Sequence, residues 1–291
     1  MSEKIIKLGI PSGSLQAATV ELFNKAGFGI SGAKRSYQPV MNDEEIKPIM
    51  LRAQEMSRYV ADGVLDAGIT GYDWILENGS DVVEICELAY SKATSKPARW
   101  VLAVPNESDI HKVEDLEGKL ISTELVNVTK KYFEDKGIGI KVEFSWGSTE
   151  VKARLVDAIV ELTETGSSLA ANNLRVIDTI VTSTTRFIAN KESWEDKAKR
   201  EKIENISILL NAAIDARTKV GLKLNAKKDD IDAVLDVLPS EKSPTVSSLA
   251  DSGYVAVEVI IDTEIERQIV PALKRAGASG IITYPINKVI H

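Results

Sequence analysis

The chemistry easiest to read from residue type and spacing lies between Asp157 and Leu169. Apolar Ala158-Ile159-Val160 reads as a buried strand. It feeds a loop with carboxylates at Asp157, Glu161 and Glu164, followed by Thr165-Gly166-Ser167-Ser168. Glycine lets the backbone approach a ligand closely. The hydroxyls of Thr165, Ser167 and Ser168, the successive N–H groups and the start of a following helix all donate to a phosphate. Asp157 and Glu161, four residues apart, offer acceptors to the two hydroxyls of a ribose. A phosphate cradle beside an acidic ribose clamp is the outline of a 5-phosphoribosyl site. The alternative is an ordinary strand–loop with a capping serine.

Other chemistries are poorly supplied. The 291 residues contain one cysteine, Cys86, and two histidines, His111 and the terminal His291. That excludes an internal disulfide framework and a cysteine-rich metal site, and it argues against histidine-zinc or Ser-His-Asp chemistry. The formal charge is −7, which speaks against a general nucleic-acid binder and makes an anionic ligand a puzzle. A hydrophobic share of 44% with 27% charged residues marks a folding chain of about two domains, with or without a small appendix. The N-terminal apolar stretch is too short and too charged for a signal peptide, and no run reaches the length of a membrane span. The expected location is the cytoplasm.

The elements that must position these residues alternate between strand and helix. A strand at Ile5–Ile10 leads through Pro11-Ser12-Gly13-Ser14 into a helix over Leu15–Ala26, stopped by Gly27. A helix is expected over Ile49–Ala61 and a strand over Ala67–Thr70. A second block has strands at Trp100–Val104, Lys119–Ser122, Val142–Phe144 and Ala158–Val160, with helices near Asn127–Lys136 and Glu150–Leu155. This alternation predicts mostly parallel sheets. The charged stretch 192–204 continues into Ile206–Leu210 as one long helix. After Arg217 the order becomes βαββαβ, the ferredoxin-like unit, with Asp229 and a Thr263/Glu266 pair as helix caps.

The segment Asp62-Gly63-Val64-Leu65-Asp66-Ala67-Gly68-Ile69-Thr70-Gly71-Tyr72-Asp73, preceded by Leu51-Arg52, resembles the nucleotide-binding segment of the ATP phosphoribosyltransferase family. Thr123-Glu124 with Asn127–Phe133, Gly147-Ser148-Thr149-Glu150-Val151, and Asp157–Leu162 with Thr165-Gly166 resemble its second-lobe runs. Ser243-Pro244-Thr245 and Gly277-Ala278 resemble the C-terminal signature of its long form. The order of these motifs is more specific than any one of them.

The resemblance implies an α/β fold: two periplasmic-binding-protein-like lobes of the type IV phosphoribosyltransferase kind, plus a C-terminal βαββαβ domain. The implied boundaries are 1–95 with 178–215 for the first lobe, 96–177 for the second and 216–291 for a histidine-binding regulatory domain. The implied reaction joins ATP and 5-phosphoribosyl 1-pyrophosphate with Mg2+, under histidine inhibition, in a homodimer or homohexamer. The implied phosphoribosyl pyrophosphate contacts are Asp157, Glu161, Thr165, Gly166, Ser167 and Ser168. Those for ATP are Ser12, Gly13, Arg35, Arg52, Gly68, Thr70, Gly71, Asp73 and Arg99, and those for histidine are Thr245 and Ala278. Many relatives carry Gly-Arg-Leu after the first strand; here Ser14 replaces that arginine, which removes a bidentate phosphate contact. For each remaining arginine a salt bridge is the alternative, and for the C-terminal domain, assembly alone. No metal ligand and no proton-transfer residue is assigned. Two rival readings share the general outline: a prephenate dehydratase with an amino-acid-sensing domain, and a two-lobed binding protein.

Overall fold

The computed structural model describes residues 5–33, 36–90, 97–239, 244–251 and 253–290. The chain divides into two compact units, Met1–Ile208 and Leu209–His291. The first holds two five-stranded sheets.

The first sheet runs Ile46–Arg52, Ile6–Ser12, Ala67–Gly71, Thr185–Ala189, Val83–Leu88. Ile6, Leu8 and Ile10 are fully buried. Gly9 and Gly68 make room for Met56 of the helix Ala53–Ala61: a Cβ at either would fall 2.1 or 2.8 Å from its sulfur. Of the thirteen residues expected as helix over Ile49–Ala61, the last nine, Ala53–Ala61, are helical. The rest belong to the strand Ile46–Arg52, which pairs in parallel with Ile6–Ser12 along its whole length. Pro48 is tolerated there because the strand lies at the sheet edge.

The second sheet runs Leu174–Ser183, Ala98–Pro105, Ala158–Thr163, Leu120–Thr123, Lys141–Phe144. Each sheet has two parallel and two antiparallel pairings, so both are mixed where mostly parallel sheets were expected. The strands that enter and leave the second sheet, Ala98–Pro105 and Leu174–Ser183, run against each other, and Thr185–Ala189 returns antiparallel into the first. Strand composition carries no sign of direction. The boundary drawn at 178 falls inside Leu174–Ser183, and the chain changes sheet at Thr184. The long helix expected from 192 is two helices, Lys191–Glu195 and Lys197–Asp215. Asp196 breaks it, because its carboxylate accepts the N–H groups of Ala198 and Lys199 at 2.9 and 3.1 Å and so starts a new helix.

The second unit has the expected βαββαβ order. Its antiparallel sheet runs Thr245–Ser248, Tyr254–Asp262, Lys219–Lys227, Ser279–Pro285, with helices Ile231–Val237 and Thr263–Arg275. Leu222, Val257, Val234 and Leu273 form its core. The expected caps do not form. The N-cap positions are Asp230 and Asp262, neither with a side-chain cap bond.

Candidate functional site

Within the first unit a cavity of about 310 Å³ lies between the two sheets. Ser12, Arg52 and Gly71, which line it, are the last residues of three neighbouring parallel strands. From the other side come Glu124, just past Leu120–Thr123, and Glu161, Leu162 and Glu164 at the end of Ala158–Thr163. The carboxyl ends of parallel strands are where open α/β sheets bind ligands. Gly13 follows Ser12 at φ +86°, and a Cβ there would stand 2.8 Å from Nη1 of Arg52, so the turn lies against the guanidinium. Arg52 has no ion-pair partner among the described residues, whereas Arg186 is paired with Glu84 and Glu87.

Asp73 is 3% exposed and reaches the opposite lobe. Trp100 Nε1 donates to its Oδ2 at 2.6 Å and Ser183 Oγ to its Oδ1 at 2.8 Å. Burial pushes its pKa up, against the pull of these donors. A Cβ on Gly71 would lie 2.0 Å from Asp73 Oδ1, so glycine is required for the carboxylate to fold back. Expected as nucleotide contacts, Gly71 and Asp73 do line the cavity, but both oxygens of Asp73 are engaged in tying the lobes together. Gly68 and Thr70 do not line it. Gly68 packs on Met56, and Thr70 is fully buried, its hydroxyl donating to the Ala53 carbonyl at 2.8 Å. Arg99 is exposed on a strand whose neighbours Ala98 and Trp100 line the cavity, and is not itself among the lining residues. Arg35 lies outside the described residues, as does Ser243.

The acidic pair is split. Asp157 stands at the entry end of Ala158–Thr163, roughly 13 Å of strand from Glu161. Its Oδ2 accepts the Leu120 N–H at 2.9 Å, and Lys119 Nζ lies 3.5 Å from Oδ1. It fastens two strands and does not face the cavity. Asp157→Ala is expected to leave affinity for a phosphoribosyl donor unchanged in titration calorimetry while lowering stability by about 1 kcal/mol in denaturant unfolding.

Glu161 does face the cavity. Burial raises its pKa to about 7; the charges of Glu150 and Glu124 add to that, and bonds from Thr149 and the Leu162 N–H oppose it. Next to it, Gly166 takes φ +79° as the N-cap of the short helix Ser167–Ala171, its N–H donating to Thr163 Oγ1 at 2.7 Å. The exposed hydroxyls of Thr165 and Ser167 lie 2.9 Å apart. Ser168 Oγ donates to Glu150 at 2.5 Å, which joins this loop to the 147–150 turn. There Ser148, not a glycine, also has positive φ, +51°.

Residues that sequence reasoning left out of the site are Trp74, Trp100, Gln54, Glu124 and the crossing Ser183-Thr184-Thr185. Trp100 reads as one more core residue in an apolar run, and the crossing has no sequence signal. Among the described lining residues one guanidinium faces five carboxylates: Asp73, Glu87, Glu124, Glu161 and Glu164. In the second unit, Thr245 is exposed on one edge strand, and Ala278 is 2% exposed beside the opposite edge. Three strand spacings, roughly 14 Å, separate those edges within one chain.

Comparison with known proteins gives a consistent result. The family model "ATP phosphoribosyltransferase" matches residues 52–212, and "HisG, C-terminal domain" matches 216–288. An ATP phosphoribosyltransferase of Chlorobaculum parvum is 56% identical over 290 residues, 99% of each chain. One from Pelotomaculum thermopropionicum is 55% identical over 286 residues, 98% of this chain and 99% of the other. A chain of the ATP phosphoribosyl transferase (HisG:HisZ) complex from Thermotoga maritima superposes with a TM-score of 0.62 at 29% identity, over 72% of this chain and 98% of that one.

Proposed function

This chain belongs to the ATP phosphoribosyltransferase family, and we propose that its inter-lobe cavity is where that family's reaction takes place. The activity is transfer of the 5-phosphoribosyl group from phosphoribosyl pyrophosphate to N1 of ATP, the first step of histidine biosynthesis. One observation carries the assignment of the site: the ends of parallel strands from both sheets meet at one cavity, with Arg52, which has no ion-pair partner among the described residues, on one wall and the loop Glu164–Ser168 flanking the other.

In this reading Thr165, Gly166, Ser167 and Ser168 hold the 5-phosphate, and Glu161 accepts the ribose hydroxyls. Ser12, Gly13 and Arg52 hold phosphates of ATP, Arg52 in the role that Ser14 cannot fill. Adenine N1 carries a free lone pair at neutral pH, so no side chain must remove a proton. What the site supplies is alignment of N1 with ribose C1 and exclusion of water while pyrophosphate leaves. Among the described lining residues, carboxylates outnumber guanidinium groups five to one. In this reading Mg2+ is carried on the pyrophosphate, since this ion takes substrate phosphates and water readily. Mg2+ would neutralise the leaving group.

The division into a first lobe completed by the returning chain, a second lobe and a C-terminal regulatory domain belongs to the same reading. Histidine would bind between C-terminal domains of two subunits of a homodimer or homohexamer, because Thr245 and Ala278 do not converge in one chain. Ala278, being buried, would contribute through its backbone. In this reading a chain carrying its own C-terminal domain would work without a separate partner chain of the kind named in the Thermotoga HisG:HisZ complex. No helix of the described residues is long and apolar enough to cross a membrane, and the cytoplasm is the expected site of action.

Initial rates with ATP, phosphoribosyl pyrophosphate and Mg2+, with and without histidine, test this reading. Gly166→Ala places a Cβ on a left-handed residue. It should raise KM for the phosphoribosyl donor about tenfold, equivalent to about 1.4 kcal/mol, with KM for ATP little changed. Equal effects on both substrates would remove the loop from the phosphate, and a rate indifferent to histidine would remove the regulatory assignment.

A further inference from the structure

The helix Val126–Glu134 of the second lobe begins without a cap of its own. Its N-cap residue is Leu125, which has no acceptor, and its first turn has no acidic residue. The free N–H groups of a helix start must find acceptors, and they favour an anion. Here the anion comes from the other lobe. Glu77, in the helix Tyr72–Asn78, accepts the Asn127 N–H on Oε1 and the Val128 N–H on Oε2, each at 3.0 Å. Asn127 Nδ2 returns a bond to the Glu77 carbonyl at 2.9 Å.

One turn earlier in the same short helix, Asp73 makes its bonds to Trp100 and Ser183, beside the chain crossing at Thr184. Glu77 reaches away from that crossing and grips the lobe at a second place. Two separated grips remove the rotation that a single hinge would leave. The gripped helix starts two residues after Glu124, which lines the cavity and lies 3.5 Å from Gln54 Nε2 of the first lobe. We infer that Glu77 is a positioning residue for phosphoribosyl transfer: by capping a helix of the opposite lobe it fixes the separation of the two cavity walls. This rests on the cavity being the site of the reaction. Glu77 itself is not among the residues lining the cavity.

The test compares Glu77→Ala and Glu77→Gln with the full-length wild type in the ATP and phosphoribosyl pyrophosphate assay, together with amide exchange at Asn127 and Val128. Glu77→Ala should raise KM for both substrates about tenfold, keep kcat within about twofold and speed exchange at the two amides at least tenfold. Glu77→Gln keeps the length and one neutral acceptor, so it should recover part of both effects; it also serves if the alanine variant does not fold. Faster exchange with unchanged KM would overturn the inference, because the cap would then serve the helix alone. A fall in kcat at constant KM would also overturn it. Failure of the wild type to transfer the phosphoribosyl group would instead overturn the functional reading.

Discussion

Asp73→Ala is expected to lower the unfolding free energy by about 3 kcal/mol, the largest stability loss of any single substitution at the cleft. It removes the acceptor of two short bonds from the other lobe, from the Trp100 indole at 2.6 Å and the Ser183 hydroxyl at 2.8 Å. Bonds to a charged group contribute about 1.5–3 kcal/mol each, and a buried indole N–H left unpaired adds its own desolvation. Asp73→Asn keeps the shape and an acceptor for the indole. It also removes a charge that burial disfavours, so it should cost about 1 kcal/mol or less. Because the folded-state pKa is raised, wild-type stability from this group is greatest below the ordinary aspartate range. It declines as pH rises through the folded value, and the asparagine variant should lack that decline. Denaturant unfolding of the three proteins across pH measures this. An alanine variant within 1 kcal/mol of wild type would show that Asp73 does not bind the lobes together.

The second large effect is on affinity. Glu161→Gln should weaken phosphoribosyl pyrophosphate binding by one to two orders of magnitude, or about 1.4–2.8 kcal/mol, through loss of a charged acceptor for the ribose hydroxyls. The same substitution should stabilise the free protein. Glu161 titrates at about 7 when folded against 4.5 for a free glutamate. The folded state therefore holds a proton that the unfolded state has lost, and stability falls as pH rises from 4.5 to about 7. Above that window the ionised group costs the folded protein up to about 3 kcal/mol, less whatever water reaching the cavity relieves. Glutamine removes that cost. Ligand hydroxyls bond best to the ionised form, so donor binding near pH 6.5 should release a proton that Glu161→Gln does not release. Calorimetry in buffers of different ionisation heat reads this difference, with the variant accounting for protons from the ligand's own phosphates. A variant that binds as tightly as wild type, or releases the same proton, would remove Glu161 from the ribose. A site that binds by holding an unfavourable charge trades stability for function.

Much of this was legible along the chain because the signals are local. The run Asp157–Ser168 announced a strand and a loop with a glycine for close backbone approach; the structure adds that Gly166 is left-handed, at φ +79°. The βαββαβ order of the second unit followed from period and punctuation. The caps expected there failed because a cap depends on the dihedrals at one residue, and Asp229 stands one position too early.

Spacing also misled where local reach was taken for convergence. Asp157 and Glu161 are four residues apart, which in a loop would bring them together; in a strand it sets them at opposite ends. Gly68 and Thr70 sit in the same motif as Gly71, yet one accommodates Met56 and the other holds Ala53. Glu124 stood in a family-like motif without being placed at the site, and the residues missed altogether, Trp100, Glu77 and the 183–185 crossing, come from distant segments.

The sequence by itself determined the family, through motifs in a set order, and the kinds of element that carry them. It also determined the scarcity of histidine and cysteine, which suits a reaction that needs alignment more than proton transfer. Only the tertiary structure decided which ends of those elements face one another. It decided that Asp73, which lines the cavity, also ties the lobes together, and that a helix led by Leu125 takes its cap from Glu77. It also decided that Glu161 titrates near neutrality. The physical reason is common to all three. Propensity and capping act over a few residues. Desolvation and the pairing of buried polar groups depend on neighbours that chain spacing does not specify.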